Sequence, residues 1–137
     1  MKSAAELVAE AEKEIDTWTV EEAMARTSDP KVQLVDIRDI RELWRLGTIP
    51  GAFHAPRGML EFWVDPASPY AKAEFQKDKT YVLFCGSGWR SALATKTLQD
   101  MGFGPVAHIG GGFSGWTKAG GPVSDVKPPP TSAAARP

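Results

Sequence analysis

Residues 80–91, which read TYVLFCGSGWRS, limit the possible folds of this chain more than any other stretch. An apolar run ends at Cys85, the only cysteine, and a helical pattern begins after two glycines. A strand that passes through a short glycine-containing loop into a helix is typical of α/β domains. These residues therefore predict a buried central strand that carries Cys85 to the edge of a sheet.

The residues that follow Cys85 favour a negatively charged sulfur. Gly86 and Gly88 allow the backbone to curl so that several N–H groups point inward. The next helix adds its free N-terminal N–H groups and the positive end of its dipole. Such surroundings favour the thiolate, which is the nucleophilic form of cysteine. A cysteine that only fills the core would need neither these glycines nor Arg90, so we interpret Cys85 as a reactive nucleophile.

The composition limits the classes of function. The 137 residues are enough for one domain with a sizeable core, and a second domain is not expected. A formal net charge of -1 provides no basic surface for nucleic acid or for an anionic membrane. No apolar run approaches the roughly 18 residues of a membrane span, and the first residues lead into charged sequence rather than a signal-peptide core. We therefore expect a cytoplasmic protein without nucleic-acid or membrane partners.

A single cysteine excludes an intramolecular disulfide, a CxxC redox pair and a zinc knuckle. Chemistry that requires a second thiol must take that thiol from another molecule. We expect neither a metal nor a cofactor.

Helix and strand signals alternate along the chain. Capping-box patterns predict helices that start after Ser3, Thr19 and Asp39. Residues 59–63 are expected to form a short helix or turn, and another helical piece is expected at 68–75. The predicted strands are 15–18, 33–37, 52–54, 80–84 and 105–109, and the main predicted helices are 4–13, 20–26, 40–46 and 91–101.

This alternation predicts an α/β domain with a mostly parallel sheet over residues 15–123. An amphipathic helix in residues 1–14 precedes the domain, and residues 124–137 are expected to form a disordered tail rich in proline and alanine. In such sheets ligands bind beyond the carboxyl ends of the strands, which is where Cys85 is expected.

Three stretches of the sequence resemble the rhodanese family of sulfurtransferases in their order and spacing. They are VDIR at 35–38 with GTIPGA at 47–52, the loop CGSGWRS at 85–91, and GGFSGW at 111–116 with GP at 121–122. The resemblance implies a single rhodanese-like domain, with a central five-stranded, mainly parallel sheet flanked by helices on both faces.

The resemblance also implies a mechanism. Cys85 takes a sulfane sulfur from a small donor, either thiosulfate or a persulfide, and becomes a persulfide. It then passes the sulfur to cyanide or a thiol, and a protein can serve as the sulfur acceptor instead. The substrate-binding loop that the resemblance implies consists of Gly86, Ser87, Gly88, Trp89, Arg90 and Ser91.

The charged and titratable residues in and around the loop are assigned mainly supporting roles. The family resemblance implies that Asp36 and Arg38 are structural, tying a strand end to neighbouring loops through charge-assisted hydrogen bonds. Arg90 either holds the loop through a carboxylate, for which Asp36 is a candidate, or faces the substrate. His54 and His108 are interpreted as ordinary strand or loop residues.

The sequence departs from the family pattern at two positions. A basic residue follows the cysteine in the common family loop, whereas this chain has Gly86. The missing positive charge weakens the argument for thiosulfate as the natural donor. Thr48 stands where the family turn usually has histidine, and we expect this change to affect packing more than chemistry.

Two alternative functions remain. Cysteine-dependent phosphatases and arsenate reductases place one more residue between their cysteine and arginine than the four that separate Cys85 from Arg90. The shorter loop suits one sulfur atom better than a phosphate. The second alternative is a rhodanese-like module that is non-catalytic or carries persulfide to a dedicated protein; non-catalytic modules usually lack the cysteine that is present here.

Overall fold

The computed structural model describes residues 1–130, and the part of the predicted tail at 131–137 lies outside the described residues. Within this range, five strands form one sheet and six α-helices flank it, so the predicted α/β fold is confirmed. The strands are β1 Asp16–Trp18, β2 Val32–Asp36, β3 Phe53–His54, β4 Thr80–Phe84 and β5 Val106–Ile109, and the helices are α1 Ala4–Glu12, α2 Val20–Ala25, α3 Ile40–Leu46, α4 Leu60–Val64, α5 Trp89–Asp100 and α6 Gly112–Lys118.

β4 lies at the centre of the sheet, whose strand order is β1-β5-β4-β2-β3. Every pairing between these strands is parallel. Leu83 of β4 is in register with Val35 of β2 and His108 of β5. Because parallel strands end at the same edge of a sheet, the ends of β2, β4 and β5 lie together. Cys85 is the first residue after β4, so it lies at this edge.

Both faces of β4 are covered. Tyr81 and Leu83 pack into a cluster with residues of α4 and α5. Val82 and Phe84 pack on the opposite face with residues of α2 and α6. A strand that is buried on both faces has to be apolar without alternation, which explains the continuous apolar run before Cys85.

The predicted starts of the helices depend on local side chains. All three predicted capping boxes form, at the starts of α1, α2 and α3. Helix α5 begins at Trp89, two residues before its predicted start, because Gly88 adopts a left-handed backbone with φ of 115° just before it. The sequence pattern did not reveal that the helix starts inside the loop that follows Cys85.

The prediction for 68–75 is wrong over most of that stretch. Only Ala73–Phe75 is helical, as a single 3₁₀ turn. The Ser68 hydroxyl accepts a hydrogen bond from the N–H of Tyr70 at 3.0 Å. Local bonds of this kind compete with helix formation, so this part of the chain follows an irregular course.

Backbone pairing to the domain continues as far as Ser124. Ser124 and Thr48 exchange two backbone hydrogen bonds of 2.9 Å each. A disordered tail beyond this residue stays a prediction. None of the helices in the described part of the chain combines the length and apolar character needed to cross a bilayer.

Candidate active site

The sulfur of Cys85 lies inside the loop that connects β4 to α5. The Gly88 N–H donates to Sγ at 3.1 Å, and the Ser91 N–H donates to it at 3.4 Å. The Ser91 hydroxyl lies 3.5 Å from the same sulfur. Only 1% of Cys85 is exposed, so these donors act on the sulfur with little competition from water. The loop can therefore hold a negative charge on this sulfur.

The first turn of α6 is hydrogen-bonded to the backbone of the Cys85 loop. The N–H of Phe113 donates to the carbonyl of Cys85 at 2.8 Å, and the N–H of Ser114 donates to the carbonyl of Gly86 at 3.0 Å. A Cβ at Gly112 would lie 2.5 Å from the Cys85 carbonyl oxygen, and this residue has φ of 59°. The close approach of α6 therefore requires glycine at position 112, and it fixes the orientation of the first peptide units of the loop.

Asp36 and Arg38 form a buried ion pair at the end of β2. Arg38 Nε and Nη2 donate to the two Asp36 carboxylate oxygens at 2.9 and 2.7 Å. Nη2 also donates to the carbonyl of Gly47, and the Thr48 hydroxyl donates to Asp36, each at 2.7 Å. The pair thus ties β2 to the turn that follows α3. Thr48 takes part through its hydroxyl, a polar role that the sequence did not predict.

The guanidinium of Arg38 stacks on an aromatic ring close to the loop. Its central carbon lies 4.2 Å from the ring centre of Phe113. Its Nη1 is buried and has no hydrogen-bond partner among the described residues. A cleft of about 290 Å³ opens beside these two residues, and Gly86 and Glu42 also line it. Because Gly86 belongs to the Cys85 loop, this cleft borders that loop.

Arg90 pairs with Glu42 of α3. Its Nη1 and Nη2 donate to the two carboxylate oxygens of Glu42 at 2.8 and 3.1 Å. The expectation that Asp36 is the carboxylate partner of Arg90 is therefore wrong, because Asp36 is buried and paired with Arg38. The hydrogen bond from Arg90 lowers the pKa of Glu42, and the same bond raises the pKa of Arg90.

The paired guanidinium also occupies the space beside Gly86. A Cβ at Gly86 would lie 3.1 Å from Arg90 Nη2. The positive charge nearest this glycine thus comes from Arg90, and Glu42 neutralises it. Trp89, the neighbouring residue, is 54% exposed on the surface of the loop.

His108 contacts the loop through Ser91, which the sequence interpretation did not anticipate. Its Nδ1 lies 2.9 Å from the Ser91 hydroxyl oxygen, and its Nε2 lies 3.1 Å from the Thr17 hydroxyl oxygen. Burial lowers the pKa of His108 to about 4. No short stretch of sequence marked this contact, because it depends on β5 lying beside β4 in the sheet. His54, by contrast, contacts the backbone carbonyl of Arg38 at 2.7 Å.

No group of three or more His, Cys, Asp or Glu side chains within residues 1–130 is arranged to hold a metal ion. The groups that surround Cys85 are instead backbone N–H groups, the hydroxyl of Ser91 and the nearby guanidinium of Arg90. Such donors suit an anion.

Residues 19–119 match the rhodanese-like domain, and the chain belongs to the rhodanese-like family. It is 34% identical over 110 residues to a sulfurtransferase of Allochromatium vinosum, a match that covers 80% of this chain and 92% of that protein. The family resemblance seen in the three sequence stretches is thereby confirmed.

Two solved structures show the same fold. One, from Rhodopseudomonas palustris, is a protein of unknown function described as a possible tyrosine phosphatase; it has 52% identity and a TM-score of 0.88, and the match covers 90% of this chain and 96% of that chain. The other is the polysulfide-sulfur transferase homodimer of Wolinella succinogenes, with 30% identity, a TM-score of 0.69, and coverage of 87% of this chain and 85% of that chain.

Proposed function

We propose that this protein is a rhodanese-type sulfurtransferase in which Cys85 carries the transferred sulfur as a persulfide. The observation that supports this role is the set of N–H groups from Gly88 and Ser91 that point at the buried Sγ. The named sulfurtransferase and polysulfide-sulfur transferase among its relatives support the same chemistry. Cys85 acts as a covalent catalyst, and the loop supplies fixed dipoles.

The reaction has two steps. The Cys85 thiolate first attacks the sulfane sulfur of the donor, so that a new S–S bond forms at Sγ and the donor's bond to that sulfur breaks. The leaving group, a thiolate or sulfite, departs with the electron pair of the broken bond. In the second step cyanide or a thiolate attacks the terminal sulfur, the S–S bond to Cys85 breaks, and Cys85 leaves as the thiolate.

The charges around the loop favour a persulfide donor over thiosulfate. Gly86 provides no positive side chain, and the guanidinium of Arg90 is paired with Glu42. Thiosulfate carries two negative charges and would gain little attraction from a neutral ion pair. A thiol persulfide carries less charge on its transferable end, so we propose it as the better donor, with a thiol or a protein thiol as the acceptor.

Intact mass spectrometry tests this function. Wild type and Cys85→Ser are incubated separately with glutathione persulfide, thiosulfate or mercaptopyruvate. We expect wild type to gain one sulfur atom that cyanide removes, most rapidly from the persulfide, and Cys85→Ser to gain none. If no donor adds a cyanide-removable sulfur to wild type, the proposed catalytic role is wrong.

The name of the Rhodopseudomonas structure makes phosphatase activity the second candidate. Four residues separate Cys85 from Arg90 here, and the guanidinium of Arg90 is bound to Glu42. A phosphatase arginine has to bind the oxygens of the phosphate. We therefore expect no turnover of an aryl phosphate. Turnover by wild type that Cys85→Ser abolishes would favour the phosphatase instead.

A persulfide carrier that serves one dedicated protein is the third candidate. Such a carrier would form the persulfide in the same way but would transfer its sulfur only slowly to free thiols or cyanide. The rate of the second step with small acceptors distinguishes the carrier from the enzyme.

A further inference from the structure

Four side chains form a line from the sulfur of Cys85 to the outer edge of the sheet. The Ser91 hydroxyl lies 3.5 Å from Cys85 Sγ and 2.9 Å from His108 Nδ1. On its other side, His108 Nε2 lies 3.1 Å from the Thr17 hydroxyl. Thr17 is exposed on β1, an edge strand. The line thus connects Cys85, which is 1% exposed, with the hydroxyl of an exposed residue on an edge strand.

We propose that Ser91, His108 and Thr17 form a proton relay that carries the Cys85 proton to solvent at β1 and turns the Ser91 hydroxyl towards the thiolate. His108 is then a positioning residue, because it acts on the sulfur only through Ser91. The inference rests on the proposed function in one respect, namely that Cys85 is the reactive sulfur.

The hydrogen bonds of the relay can run in two directions. In the thiol form, the S–H donates to Ser91, the Ser91 hydroxyl donates to Nδ1, and the Nε2–H of His108 donates to Thr17. In the thiolate form, the Thr17 hydroxyl donates to Nε2, the Nδ1–H donates to Ser91, and the Ser91 hydroxyl donates to the sulfur. Each form is fully bonded, and each requires a different tautomer of neutral His108.

Proton transfer along the relay converts one form into the other. The sulfur proton moves to Ser91, the Ser91 proton moves to Nδ1, the Nε2 proton moves to Thr17, and the Thr17 proton moves to water. Ser91 and Thr17 each receive one proton and pass one on, and the His108 ring receives one at Nδ1 and releases one at Nε2. The sulfur becomes the thiolate, and the water becomes hydronium. No group is left with an unsatisfied hydrogen bond at the end.

The surroundings of His108 suit a tautomer exchange rather than a charge. The ring is 2% exposed and lies in register between Thr17 of β1 and Leu83 of β4, with Ser91 of α5 above it. None of these neighbours carries a charge. Burial lowers the pKa of His108 to about 4, so the ring is neutral from about pH 5 upwards.

The relay strengthens the hydrogen bond that the thiolate receives. A hydroxyl that accepts a hydrogen bond becomes a better donor, and a bond to a charged acceptor is stronger than one to a neutral acceptor. Donation from Nδ1–H to Ser91 therefore stabilises the thiolate form more than the reversed direction stabilises the thiol form. Loss of the relay should therefore slow the reaction of Cys85 with an electrophile.

Nitrogen NMR of the imidazole rings tests the relay directly. The chain has two histidines, so His54 is an internal reference. As the pH rises from about 5, we expect His108 to change from the Nε2–H to the Nδ1–H tautomer. The midpoint should coincide with the appearance of the thiolate absorbance of Cys85. A His108 tautomer that stays the same while the thiolate forms would overturn the inference.

Variants separate the relay from a merely structural role. In Cys85→Ala the tautomer of His108 should no longer change with pH. In Ser91→Ala any change of tautomer should no longer coincide with formation of the Cys85 thiolate. Thr17→Val removes only the surface hydroxyl, and we expect alkylation of Cys85 by iodoacetamide at neutral pH to slow about threefold. Thr17→Ser keeps a hydroxyl and should retain the wild-type rate. Equal rates for Thr17→Val and Thr17→Ser would contradict a relay that ends at Thr17.

The relay and the proposed function can fail independently. If His108 follows the thiolate but no donor yields a persulfide, the relay stands and the sulfurtransferase role fails. If the persulfide forms while the tautomer stays fixed, the sulfurtransferase role stands and the relay fails.

Discussion

At the scale of single residues, two arginines near the loop have different surroundings. Arg38 is buried against Asp36, and removing either partner would leave a charge without compensation in the core. Arg90 and Glu42 lie nearer the surface, where an ion pair contributes little to stability. The Asp36–Arg38 pair therefore fixes the position of the end of β2. The Glu42–Arg90 pair instead determines the net charge beside Gly86.

Glu42→Gln should improve the use of thiosulfate. The change removes the carboxylate that neutralises Arg90 and leaves an uncompensated positive charge beside Gly86. Glutamine can keep the capping box of α3, so the helix start is retained. We expect the KM for thiosulfate to fall about threefold to tenfold at low salt and the effect to shrink at high salt.

The matched control is Glu10→Gln. Glu10 lies on α1 and forms an exposed ion pair with Lys2, so this change also removes a paired surface carboxylate. This variant should leave the KM for thiosulfate unchanged. A KM for Glu42→Gln that equals the wild-type value at low salt would mean that the charge of Arg90 does not reach the donor.

At the scale of elements, the contact between the Cys85 loop and α6 matters most. The first N–H groups of α6 are used by the carbonyls of Cys85 and Gly86. These bonds satisfy free groups at the helix start and hold the loop at the same time. The third family stretch, GGFSGW, therefore acts on the sulfur through the backbone of the loop.

Gly112→Ala should damage both stability and activity. The new Cβ would lie 2.5 Å from the Cys85 carbonyl oxygen, and the residue would also have to keep φ of 59°. We expect a loss of about 2–4 kcal/mol in the free energy of unfolding, measured in urea, and at least a tenfold loss of sulfur transfer. Gly58→Ala, whose Cβ would meet open space, should change the free energy of unfolding by less than about 1 kcal/mol. Equal effects for the two variants would contradict this role of Gly112.

At the scale of the whole molecule, stability should depend on His108 in mild acid. Burial lowers the folded-state pKa of His108 from 6.5 to about 4. The unfolded chain therefore binds more protons between these values, and the free energy of unfolding falls as the pH falls. We expect a loss of about 2 kcal/mol between pH 7 and pH 5 that urea titrations detect.

His108→Asn provides the comparison, because asparagine does not titrate and can still bond to Ser91. Carboxylates contribute equally in both proteins, so the difference between the two pH profiles isolates His108. If the variant loses as much stability as wild type over this range, the buried histidine is not the cause.

Local patterns predicted much of the fold. Capping boxes marked the starts of α1, α2 and α3, and the apolar run marked β4, because these signals depend on neighbours within a few residues. The stretch 68–75 was misjudged, since a serine side chain there bonds to the backbone instead of permitting a helix. The left-handed Gly88 that advances the start of α5 could be located only from its backbone angles.

The sequence by itself determined the family and located Cys85 within its glycine loop, because those residues are contiguous or follow a fixed spacing. Only the tertiary structure decided that Arg90 binds Glu42 and that His108 supports Ser91. These pairs join residues 48 and 17 positions apart in the chain. Their contact depends on how α3 and β5 are placed around β4. Such contacts are set by packing across the sheet, which leaves no signal in a short stretch of sequence.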